Sequence, residues 1–202
     1  MTILEQVHDE KATNVPGVDV VLAVDDSMKP LLDARALKLV GALHRRFWNR
    51  RREMLQRRAR AGIAHSSTAI YAASSDHAAN LATAATWQER LSQLQILSDV
   101  DETATDQIVA TRGWADTESG VLVDGRAVPG CVFDLAITLS LVANRLRDGE
   151  SPFIFSIPEP MDVTETKLWT DLLTLAEDRL GVERGVVRAG VLGDRLDGAH
   201  VA

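Results

Sequence analysis

The chain has 202 residues, 46% apolar and 25% charged, which suits one domain with a sizeable core and excludes a wholly disordered protein. A net charge of −7 argues against nucleic-acid binding over the whole surface, and the one cysteine, Cys131, cannot form an intrachain disulfide. No apolar run reaches the roughly 18 residues a membrane helix requires, and MTILEQVHDEKATN lacks the apolar core of a signal peptide, so the expectation is a cytoplasmic protein.

Residues 1–18 read as a polar leader ending in the turn signal Pro16-Gly17. Val18 to Val24 is short and β-branched, the pattern of a strand, and Asp25, Asp26, Ser27 and Pro30 mark a break after it. From Asp33, a plausible N-cap, the apolar period changes. Ala36, Leu37, Leu39, Val40, Leu43, Phe47, Met54 and Leu55 recur mostly at three- and four-residue steps, which predicts an amphipathic helix ending near Gly62. Residues 63–106 form a variable connector rich in Ala, Ser, Thr and Asp, with one helical stretch around Trp87.

Beyond it the chain reads more clearly. Gln107 to Thr111 is a strand leading into Arg112-Gly113-Trp114, and Asp124-Gly125 between short apolar runs predicts a hairpin over 120–128. A helix over 132–146, a strand over 152–157, a helix over 163–180 stopped by Gly181, and a strand over 186–192 complete the pattern. Strand, helix, strand, helix, strand predicts an α/β fold with parallel pairing. Three regions result: 1–62 with the leader and the arginine-rich helix, 63–106 the connector, and 107–202 the β/α region.

Eight arginines lie between 45 and 60 against one glutamate. The apolar stripe on the same helix implies that they occupy its solvated face or meet acidic neighbours. Cys131 reads as a buried structural thiol, Trp114 and Trp169 as core anchors, and Asp116, Glu118 and Asp124 as hairpin-surface acids. The histidines at 7, 44, 65, 77 and 200 show no metal-ligand spacing. Arg112 taken alone is an ordinary solvated arginine at a strand end, and Asp194 taken alone is a turn or cap residue.

Three blocks in order resemble the malate synthases of the non-G type. Residues 36–58 read ALKLVGALHRRFWNRRREMLQRR, close to that family's LHRRF helix. Its RGWH strand end, LVDG…PG hairpin and FDF helix start are answered by RGWA at 112–115, LVDGRAVPG at 122–130 and FDL at 133–135. Its LW-x-D…LG…RG block is answered by ETKLWTDLLTLAEDRLGVERGVVRAGVLGD at 165–194. The citrate lyase β-subunit group fits the first and last blocks less well.

The resemblance implies an N-terminal helical segment followed by part of a (β/α)8 barrel, incomplete in this chain because such a barrel takes about 250 residues. It implies an acyltransferase that condenses glyoxylate with acetyl-CoA to malate and CoA. Arg112 would stabilise the enolate, and Asp194, in place of the family glutamate, would be a ligand of Mg²⁺. A second metal ligand and the aspartate base are expected beyond residue 202. The family's Asp-Phe-Glu-Asp motif has no counterpart over 64–106, and Ala115 and Glu159 replace its histidine and lysine. A chain incomplete as a catalyst is therefore expected. The alternative is a degenerate, non-catalytic interaction protein that associates through unpaired strand edges.

Overall fold

The computed structural model describes residues 15–24, 26–62, 108–148, 153–158 and 162–191. Its elements, in chain order, begin with strand β1 (Val18–Val20), a 3-10 segment (Asp26–Leu32) and helix α1 (Ala34–Arg60). Strands β2 (Ile108–Ala110), β3 (Thr117–Val123) and β4 (Arg126–Pro129) lead into helix α2 (Gly130–Arg147). Strand β5 (Phe153–Ser156), helix α3 (Val163–Leu180) and strand β6 (Val187–Gly190) complete them. Strand β1 is shorter than its β-branched run: its register with β3 ends at Val20, Val21 adds one N–H to the Gly120 carbonyl at 2.9 Å, and Val21 and Leu22 are exposed.

Two three-stranded sheets result. The order β2-β5-β6 is parallel throughout, with Val109 opposite Phe155 and Phe155 opposite Ala189. Parallel neighbours need long crossovers, and α2 and α3 supply them. Among the described residues the barrel is not closed: these three strands form an incomplete α/β arrangement. The order β1-β3-β4 is antiparallel. Asp124 and Gly125 both take left-handed backbone (φ 49° and 73°), the mirror-image turn that suits the twist of a two-residue hairpin.

Helix α1 starts where Asp33 accepts the Ala36 N–H at 2.7 Å. It buries Leu37, Val40, Leu43, Phe47 and Met54 against α2 and α3. Helix α2 is buried on every side from Gly130 to Leu139, so its sequence is apolar all round. Helix α3 begins at Asp162, which accepts the Glu165 N–H, and stops at Gly181 in left-handed conformation. Trp114, Phe47 and Trp169 join the layers, with Trp114 5.0 Å from the Trp169 ring. No helix among the described residues is long and apolar enough to cross a membrane.

The arginines of α1 meet carboxylates of other elements: Arg45 pairs Asp124, Arg50 pairs Asp171, Arg57 pairs Asp162 and Arg58 pairs Glu165. Glu165 is 3% exposed, so the Arg58 pair is the deeply seated one.

On the same helix His44 is 2% exposed, and neither ring nitrogen has a hydrogen-bond partner. It stacks on Trp48 at 5.0 Å. Burial is the main cause that lowers its pKa from 6.5 to about 4; Asp124 opposes the shift, and Arg126, Arg51 and Arg45 add to it. Between those two values the unfolded chain binds a proton that the folded chain refuses, so stability falls as pH drops through the window. The loss should total about 3 kcal/mol. His44→Leu should therefore lose about 2 kcal/mol less than the unaltered chain between pH 7 and pH 5 in urea unfolding. Equal losses in the two chains would refute a buried neutral histidine.

Candidate active site

Strand β2 ends one residue short of Thr111, and the chain then turns through Arg112-Gly113-Trp114 at the C-terminal end of the parallel sheet. Arg112 is 9% exposed, and two carboxylates meet it there. Asp134, from the first turns of α2, is fully buried and accepts Arg112 Nη2 at 2.6 Å and Nε at 2.9 Å. It also accepts the Arg112 backbone N–H at 3.0 Å. Glu118, from β3, receives Arg112 Nη1 at 3.1 Å, and its other oxygen accepts the Gly120 N–H at 2.9 Å. Burial works against the guanidinium charge, but the two carboxylates outweigh it and hold the pKa of Arg112 above its ordinary value.

This overturns two simple readings of the sequence. Arg112 is not a solvated strand-end arginine, and Glu118, at 6% exposed, is not a hairpin-surface acid. Asp124 does lie on the surface, paired with Arg45. Asp116 is half-buried and turns its carboxylate back to the Gly113 N–H at 2.8 Å.

Gly130 makes the arrangement sterically possible. A Cβ there would stand 2.8 Å from Arg112 Nε and 2.9 Å from Cδ, too close for any side chain. The loop that carries Arg112 is fastened from outside by Arg51 of α1, which donates to the Trp114 carbonyl at 2.6 Å and the Ala115 carbonyl at 3.2 Å. Cys131 lies buried beside Asp134; burial first, and then that carboxylate, push its thiol well up, so it stays protonated and unreactive.

Two more polar groups lie at the same end of neighbouring strands. The hydroxyls of Thr111 and Ser156 are buried without hydrogen-bond partners, although the Thr111 N–H bonds the Ser156 carbonyl. A buried hydroxyl without a partner costs free energy, and a polar ligand at the strand ends would relieve that cost.

Asp194 lies outside the described residues. Among those described, no group of three His, Cys, Asp or Glu side chains could hold a metal ion. The carboxylates of Asp134 and Glu118 do not fit Mg²⁺, because one guanidinium already binds both.

Asp134 stands inside the FDL motif at 133–135 without being marked there as a site residue, and Glu118 lies in none of the motifs. One signal was available for Asp134: it is the lone charge within the apolar run CVFDLAI, and a charge there requires a buried partner. Replacing Arg112 with Met leaves two buried carboxylates without their cation, so Arg112→Met should cost roughly 3–5 kcal/mol, read as a lower urea midpoint at neutral pH. An unchanged midpoint would mean that the acids are compensated elsewhere.

Comparison with known proteins agrees with this geometry. A profile described as "Malate synthase, N-terminal domain" matches residues 16–63. Another, "Malate synthase, TIM barrel domain", matches residues 107–200, and together the two take in well over half of the chain. Glyoxysomal malate synthase from Candida tropicalis is 41% identical over 86 residues, 42% of this chain and 15% of that protein. Malate synthase from Streptomyces clavuligerus is 33% identical over 95 residues, 46% of this chain and 17% of that protein. The glyoxysomal enzyme of Raphanus sativus is 34% identical over 92 residues, 44% of this chain and 16% of that protein. Each match therefore spans only a small part of the relative's length. Two malate synthase domain profiles, matched in order along most of the chain, establish that the chain belongs to the malate synthase family.

Proposed function

We propose that this is a malate synthase-like protein which contributes the arginine side of a site for glyoxylate and acetyl-CoA, and which does not turn the reaction over by itself. The observation that carries the reading is the buried Arg112 guanidinium at the C-terminal end of the first parallel strand, the end at which β/α barrels build their active sites.

The chemistry suits that residue. Removing a proton from the methyl carbon of a thioester builds negative charge on the carbonyl oxygen, and glyoxylate itself carries a carboxylate. A fixed guanidinium in a site shielded from water stabilises both more strongly than it could in water. Asp134 holds the fork and Glu118 caps one end, so Arg112 needs little reorganisation to meet developing charge. The same bonds explain the expected lack of turnover. Neither acid is available to take the methyl proton, since both are engaged with the guanidinium. The expected Mg²⁺ rests on Asp194 alone, and no step is assigned to it. A cytoplasmic location is part of the same proposal and is supported by the single cysteine, which can form no intrachain disulfide.

The purified chain, given acetyl-CoA, glyoxylate and Mg²⁺, should release no thiol above the protein-free rate. Glyoxylate-dependent release that Arg112→Lys abolishes would overturn the incomplete-site reading and make the chain a self-sufficient enzyme.

One observation favours the second reading, a non-catalytic interaction protein. Among the described residues β2 and β6 each pair along one edge only, and Val191 just past β6 is exposed. On that reading, size-exclusion with light scattering should give a mass above 22.0 kDa, the mass of one chain. A stable monomer would count against it.

A further inference from the structure

A cleft on the opposite flank of α1 plays no part in the site at Arg112. It lies between α1 and α3 and has a volume of about 400 Å³, within the range of small-molecule pockets. Its floor is apolar, formed by Met54 and Leu168, which are 1% and 3% exposed. Its α1 wall carries Arg50, Arg57 and Arg60, and one acid, Glu53.

The ion pairs leave much of this positive charge open. Arg57 spends one nitrogen on Asp162 at 3.2 Å, and Arg50 one on Asp171 at 2.7 Å, so neither fork is closed by a bidentate partner. Arg60 forms no ion pair among the described residues. One helical turn separates Arg57 from Arg60, so both can converge on one bound group, whereas Arg50 lies roughly 10 Å away along the axis.

We propose that this cleft binds a small phosphomonoester, its phosphate between Arg57 and Arg60 and its organic part against the alkyl stems of Arg50 and Arg57. A dianion with three acceptor oxygens is favoured over a single carboxylate. The incoming group must compete with the Asp162 carboxylate for Arg57 and must overcome repulsion from Glu53, and two negative charges do both better than one. The alkyl stems of the lining arginines, laid over Met54 and Leu168, give an organic group more contact than a bare phosphate would find. This cleft is independent of the chemistry at Arg112.

The test is calorimetric titration of the full chain with phenyl phosphate and, separately, with inorganic phosphate. Phenyl phosphate should bind saturably and inorganic phosphate more weakly. Arg60→Ala should weaken binding about tenfold without lowering the melting temperature, since Arg60 supports no ion pair among the described residues. Glu53→Gln should tighten binding, and Arg46→Ala, on the same helix but outside the cleft, should leave it unchanged. No saturable uptake of phenyl phosphate would overturn the proposal. Equal weakening by the Arg46 and Arg60 variants would also overturn it, by assigning the effect to a diffuse field. Equal affinity for the two probes would overturn it as well, because the organic part would then contribute nothing.

Discussion

A guanidinium can be buried only if carboxylates or carbonyls take up its charge and donors, and in this protein that requirement joins three elements at one point. Arg112 comes from the end of the parallel sheet, Asp134 from the start of α2 and Glu118 from the antiparallel sheet. The two sheets share no strand, so the cluster is a polar tie between them, beside the apolar contacts of α2. Its cost is high, because removing Arg112 strands two buried carboxylates and removing Asp134 takes away the partner that holds the guanidinium at Nε and Nη2. Gly130 and the Arg51 contacts to the loop carbonyls support that cluster: one clears the space, the other holds the loop.

The arginine-rich helix obeys a milder version of the same rule. Its pairs with Asp124, Asp171 and Asp162 are partly exposed, and each adds little stability in water. What holds α1 in place is the burial of Leu43, Phe47 and Met54, along with the covered Arg58–Glu165 pair. The exposed pairs act mainly on orientation, since a rotation of α1 would carry its arginines away from these three acids. A chain of net charge −7 carries nine arginines on this one helix, and acids on neighbouring elements lie opposite four of them.

Much of the architecture is legible in the residues alone. The boundaries of α3 follow from its 3.6-residue period and Gly181, and the hairpin follows from Asp124-Gly125, because these signals are local and a turn needs no distant partner to select its conformation. The parallel pairing of β2, β5 and β6 follows from alternation of strands with helices long enough to cross back. The β-branched run overstates the length of β1, because the regular register with β3 ends at Val20 while the propensity of the run carries on.

The site divides along the same line. The motif at 112–114 marks Arg112 as a residue of interest, since three letters in a known context survive as a local pattern. Its burial and its partners are not legible there. Glu118 stands in an alternating strand, and nothing in TESGVLV marks it as the partner of a buried cation. Only the approach of β3 to the end of β2 and the start of α2 decides that Glu118 is buried, that Asp134 has a cation, and that Arg112 is held rather than solvated. Sequence by itself determined the elements and the family, because both depend on neighbours along the chain. Tertiary structure decided which charges meet, because a buried ion pair depends on residues far apart in sequence, 22 positions for Arg112 and Asp134 and 107 for Arg58 and Glu165, sharing one small, water-poor space.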